Sequence, residues 1–158
     1  MKRLFFYLLF ASITFSVHAQ FDAETQLKKK LIQNKYMDFL NAKDYSPEVD
    51  SDGDIKFRYK EKTYYITIDM KDESFFRVAR LANLKLDNDA DIAQAKEICH
   101  NVTLDVKVAK VYWLKGVIWT SSELLMPDKD SYEAIFDRCL SLTEKAYVRF
   151  VNQWKESR

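Results

Sequence analysis

The stretch DIKFRYKEKTYYITI, residues 54–68, decides the fold. Its apolar side chains fall on alternate positions, the period of a β-strand, and polar residues fill the gaps. A two-residue turn at Glu61-Lys62 would set Tyr59 against Tyr64, Phe57 against Ile66 and Ile55 against Ile68. One face of this hairpin is then apolar. The other collects Asp54, Lys56, Arg58, Lys60, Thr63, Tyr65, Thr67 and Asp69, as a half-buried antiparallel ribbon requires. Glu61-Lys62 is not a favoured pair for a primed turn, which leaves a longer loop open there.

Working outward, the segment from about Ala23 to Lys43 reads as a helix, with Leu27, Leu31, Ile32, Tyr36, Phe39 and Leu40 at helical spacing. Its run Lys28-Lys29-Lys30 reads as the solvated side of that helix. Residues 44–54, with Pro47, Ser51 and Gly53, form a connection into the sheet. After the polar break Lys71-Asp72-Glu73, SFFRVARL suits a third strand. From about Asp89 to Asn101 the pattern is helical but weakly apolar, with Asp87, Asn88 and Asp89 as caps.

A second hairpin, from about Val106 to Met126, turns at Lys115-Gly116. Tyr112 faces Trp119, Leu114 faces Val117, and Trp113 faces Ile118 on the other side. Both faces near this turn carry large apolar groups, so both are expected to be covered, by helices or by a partner. The last segment, Asp130 to about Lys155, is a strongly amphipathic helix, approached through Pro127 and Asp128. The fold class is therefore α+β: helix, three strands, helix, two strands, helix.

Residues 1–19 read as a signal peptide. Lys2 and Arg3 precede the apolar run LFFYLLFASITFSV, and Val17-His18-Ala19 places small residues before a cut between Ala19 and Gln20. The run is shorter than the roughly 20 residues needed to span a bilayer, so no stable membrane insertion is expected after cleavage. Gln20 stands where a lipoprotein would carry cysteine. The expected product is residues 20–158, a single exported domain, periplasmic or secreted. Its length suits one hydrophobic core.

Of 25 basic and 24 acidic side chains in the whole chain, the leader removes Lys2 and Arg3 and leaves a formal charge of −1. A nucleic-acid binder would show a basic excess, so none is expected. Gly53 and Gly116 are the only glycines, too few for a phosphate-cradling loop, and no cofactor is implied.

Cys99 and Cys139 are the only cysteines, and an oxidising compartment allows them to pair. Closing that loop would contribute about 4 kcal/mol in the chain-entropy account. The alternative is two buried free thiols, favoured by the place of Cys139 on an apolar helix stripe. His100 adjoins Cys99, but neighbouring helical residues project in different directions and make no catalytic pair. Asp50, Asp52, Asp54 and Glu61 match acidic positions of a calcium loop, yet Ile55 stands where such a loop needs glycine, so no metal is expected. Tyr112, Trp113 and Trp119 are the candidate binding residues, with core packing as the competing explanation.

This order of elements, with a weak middle helix and a long last one, resembles the type III secretion chaperone-like fold and its YbjN-type relatives. The resemblance covers about Ala23 to Trp154 and is carried by DGDIKFRYKEKTYYITI, SFFRVARL and AQAKEICHN leading to VKVAKVYW. It implies a five-stranded antiparallel sheet packed by helices, homodimers, and protein binding rather than catalysis. It also implies a middle helix set away from the face shared by the other two, which would keep Cys99 and Cys139 apart. The expected function is an exported, non-enzymatic module binding a protein or peptide. The alternative is a small hydrolase or ligand-binding enzyme working through Asp69, Asp72 and Glu73.

Overall fold

The computed structural model describes residues 23–158 apart from Lys85, Asp87 and Lys129. Over these the chain runs α1 (23–41), β1 (Glu48–Val49), β2 (Ile55–Tyr59), β3 (Lys62–Thr67), β4 (Phe75–Ala82), α2 (Asp89–Asp105), β5 (Ala109–Leu114), β6 (Val117–Leu125) and α3 (Tyr132–Glu156). The architecture is α+β with a sheet ordered β1-β2-β3-β4-β6-β5, antiparallel at every step.

The sheet has six strands rather than five. The extra strand, β1, lies inside the segment read as a plain connection. The Asp50 carboxylate accepts the backbone N–H groups of Asp52 and Asp54, and Gly53 supplies a φ of 84°. That turn folds Glu48 and Val49 back against Lys56 and Ile55. The same turn is clasped by α1: Lys29 Nζ donates to the Asp52 carbonyl at 3.0 Å and Gln33 Nε2 to the Gly53 carbonyl at 2.9 Å. A Cβ at Gly53 would collide with the Lys29 side chain. Since Lys28 also pairs with Glu73, two lysines of the basic run fasten α1 to the sheet rather than merely solvating it.

The first hairpin differs from the expected register by two residues. Ile55 pairs with Ile66, Phe57 with Tyr64 and Tyr59 with Lys62, so the turn is Lys60-Glu61. Both turn residues are left-handed, with φ of 48° and 61°, the geometry of a primed turn made without glycine. A slip of two keeps every side chain on its face, which is why alternation alone does not fix it. The second hairpin has the expected register, Tyr112 to Trp119, Trp113 to Ile118 and Leu114 to Val117. Lys115 and Gly116 turn it with φ of 50° and 86°.

All three helices pack on one side of the sheet. Tyr36 and Leu40 of α1 and Tyr132, Phe136, Cys139 and Leu140 of α3 meet Ile55, Phe57, Tyr64, Ile66, Phe76 and Val78 in a first core. Ala95, Ile98, Cys99 and Val102 of α2 and Ala146, Phe150 and Trp154 of α3 meet Ala82, Val111 and Ile118 in a second. The middle helix thus shares the face of the other two, contrary to what the resemblance implies. It begins at an Asn88 cap whose side chain accepts from the Asp91 N–H, and it continues past Asn101 to Asp105.

Between the cores runs a buried polar seam. Arg80, Thr120, Ser122 and Thr143 are all nearly inaccessible to solvent. Thr143 Oγ1 bonds to the Val78 carbonyl at 3.1 Å and to Ser122 Oγ at 3.0 Å. Arg80 pairs with Glu144, whose carboxylate also accepts the Tyr64 hydroxyl. The Arg80 guanidinium lies 3.4 Å from the centre of the Tyr147 ring.

Candidate functional site

The face opposite the helices is built from the odd-phase residues of every long strand, and no described helix packs on it. Register places these side chains in rows. Leu81, Trp119 and Tyr112 form one row. Tyr65, Ala79, Ser121 and Lys110 form the next, and Thr67, Arg77 and Glu123 the third. Tyr112 and Trp119 stack with centroids 6.5 Å apart and planes at 10°. Ala79 and Ser121 are small and fully enclosed by their neighbours, so the middle row is a shallow strip between an aromatic ridge and a charged one.

The charged ridge centres on Glu123. Its carboxylate is 2.9 Å from Arg77 Nε and 2.5 Å from Lys110 Nζ, and it accepts the Ser121 hydroxyl at 2.8 Å. Burial acts to raise its pKa, but hydrogen bonds from Lys110 and Ser121 and the charge of Arg77 outweigh it and hold the carboxyl below the ordinary 4.5. A depressed carboxyl stabilises fully above its unfolded-state value and loses that contribution as pH falls through the folded one. The thermal midpoint of wild type is therefore expected to exceed that of Glu123→Gln near neutrality, with the gap closing in acid. A gap that widens on acidification contradicts this.

Both edges of the sheet are blunted. At the β5 edge, Thr103 of α2 donates its hydroxyl to the Val111 carbonyl at 3.0 Å and accepts the Val111 N–H at 2.9 Å. At the other edge β1 is only two residues long. Short or capped edges resist strand addition, so a partner has the sheet's face rather than its rim to engage.

The structure divides the aromatic trio read from the sequence. Tyr112 and Trp119 lie together on the open face, whereas Trp113 points to the helix side, packs against the second core and has Lys96 Nζ 4.5 Å from its ring centre. The two-sided apolar hairpin thus has helices on one side only among the described residues. Cys99 and Cys139 are free, buried in different cores, and do not form the disulfide that the sequence allowed. Burial pushes their thiols up to about 12 and about 11, which keeps them protonated and unreactive at neutral pH.

Asp69, Asp72 and Glu73 occupy the β3–β4 connection. Asp69 accepts the N–H groups of Lys71 and Asp72, and Asp72 accepts both the N–H and the hydroxyl of Ser74. Glu73 is held by Lys28. These carboxylates shape a turn. His100 is exposed on α2 while Cys99 is buried, so the two side chains face apart. Asp54 accepts the Ile68 N–H, and among the described residues no group of three or more His, Cys, Asp or Glu side chains comes together to hold a metal ion. The signal-peptide reading, with its cut at Ala19-Gln20, lies outside the described residues. No described helix is long and apolar enough to cross a membrane.

Sequence reasoning missed the Arg77–Glu123–Lys110 cluster and the Arg80–Glu144 pair. A signal was present for the second: Arg80 shares the phase of Phe76, Val78 and Ala82, so a charge was due to face the core.

No protein-family model matches this chain, and no curated protein does. Among solved structures it is similar to an uncharacterised protein from Methanothermobacter thermautotrophicus. The two share 10% identity with a TM-score of 0.58, over 80% of this chain and 98% of that one. At that identity the likeness concerns the fold alone.

Proposed function

We propose that this chain is an exported, non-enzymatic module that binds a protein or peptide through the open face of its sheet. The observation that carries this reading is the stacked Tyr112–Trp119 pair on a face with no described helix over it. Aromatic side chains and arginine are enriched at the centres of protein interfaces, and Arg77 lies beside this pair's strip. The blunted edges direct a partner to the same face. Export rests on the leader pattern of residues 1–19. The proposed kinship with the type III secretion chaperone-like fold agrees with a binding role, and a second copy of the chain is the competing occupant.

Panning a random peptide library on immobilised protein tests the reading. Wild type should enrich peptides that Trp119→Ala and Tyr112→Ala fail to retain. Because Trp119 is partly exposed, its removal should cost only about 1 kcal/mol of stability, mostly the lost ring stacking. Trp113→Ala should do the reverse, keeping peptide binding at low temperature while losing about 2–3 kcal/mol, less than a fully buried tryptophan would. Peptide retention that survives Trp119→Ala contradicts the assignment.

A further inference from the structure

We infer that the open sheet face takes an acidic polypeptide segment carrying a large apolar side chain, an inference that rests on the reading of that face as the binding surface. Four cations project from the strands onto it, Lys56, Arg58, Arg77 and Lys110, against the single acid Glu123. The whole chain carries a formal charge of only +1, so positive charge is concentrated here. Glu48 and Glu61 answer Lys56 and Arg58 from a strand end and a hairpin turn, and their side chains are 62% and 89% exposed. Such pairs are weak and exchange readily with a partner's carboxylates. Arg77 and Lys110 share one carboxylate between them.

The apolar anchor is the row Leu81, Trp119 and Tyr112, and the Ala79–Ser121 strip beside it leaves room for a chain to lie. A second copy docked about a two-fold axis would bring these same cations against each other, which disfavours it. A single-stranded nucleic acid matches cations and stacking rings, but Glu123 repels a continuous run of phosphates. A polypeptide can direct separate carboxylates to Lys56, Arg77 and Lys110 and place a neutral residue over Glu123. Acidic side chains also give salt-sensitive, steered association.

Fluorescence anisotropy tests this with a labelled short peptide alternating Glu and Val around a central Phe. Controls are the same peptide with Gln or Lys for Glu, and a labelled oligothymidine. The Glu peptide should bind about tenfold tighter than the Gln peptide, weaken with added salt, and lose about tenfold in the double variant Lys56→Gln/Lys110→Gln. If that variant melts lower than wild type, Lys56→Gln alone carries the comparison. Equal binding of Glu and Gln peptides, both lost in Trp119→Ala, overturns the acidic class and leaves the face as the binding surface. Peptide binding indifferent to Trp119→Ala overturns the face as well. Tighter oligothymidine binding, a dimer closed through Trp119 that the Glu peptide does not displace, or binding of no probe overturns the proposal.

Discussion

Phe136→Ala is expected to lower the unfolding free energy by about 3–5 kcal/mol, the range for truncating a fully buried aromatic. Phe136 is wholly inaccessible on α3, and its ring meets those of Phe39 from α1, Tyr45 from the α1–β1 connection and Phe57 from β2, at 5.1, 6.3 and 5.7 Å. Tyr132, one turn earlier, meets Phe39, Tyr36 and Phe76 in the same way. Because rings from four elements converge there, no single side chain can swing in to fill the space. A domain of this size has about 5–15 kcal/mol in total, so the variant should sit near the edge of folding. Urea titration checks this: the midpoint should fall sharply with the slope unchanged. A loss under about 1 kcal/mol would mean that the cavity collapses and that the aromatic cluster is not a rigid unit.

Much of this architecture follows from periodicity. The alternation in residues 54–68 and 109–125 sorts helix-facing from open-facing side chains, and the helical spacing of Tyr132, Phe136, Cys139 and Leu140 marks the buried stripe of α3. Two features lie beyond that signal. The strand β1 depends on one aspartate side chain capping two N–H groups, which is turn chemistry in a segment too short to show a period. The first register depends on Lys60 and Glu61 accepting left-handed backbone, which their residue types disfavour.

The candidate site was half legible. Tyr112 and Trp119 were visible as a facing pair, but Trp113 was grouped with them because periodicity separates two faces without saying which one the helices cover. That choice is made by the crossover through α2, which lays Ala95, Ile98 and Val102 over the Trp113 side. The convergence of Arg77, Lys110 and Glu123 needs β4 and β5 to flank β6. Strand order, unlike strand phase, leaves no mark on a local pattern.

The polar seam leads to an asymmetric expectation. Arg80 has only 7% of its side chain exposed, while its partner Glu144 has 31%. Removing Glu144 leaves a guanidinium enclosed between Tyr64 and Tyr147 with no countercharge, and the Tyr64 hydroxyl without its acceptor. Breaking a buried pair this way costs about 3–5 kcal/mol, and because Glu144 is partly screened by solvent, Glu144→Ala is expected toward the low end, about 2–3 kcal/mol. Arg80→Met should cost less than Glu144→Ala. The methionine fills apolar space beside Tyr147, and the freed carboxylate is close enough to solvent to hydrate. The double variant Arg80→Met/Glu144→Ala should then be more stable than Glu144→Ala alone, since it removes the stranded charge. Thermal or urea unfolding of the four proteins closes the cycle. If Arg80→Met proves the more damaging single change, the pair's value lies in guanidinium packing on the rings rather than in charge neutralisation, and the seam is held together by Tyr64 and Tyr147.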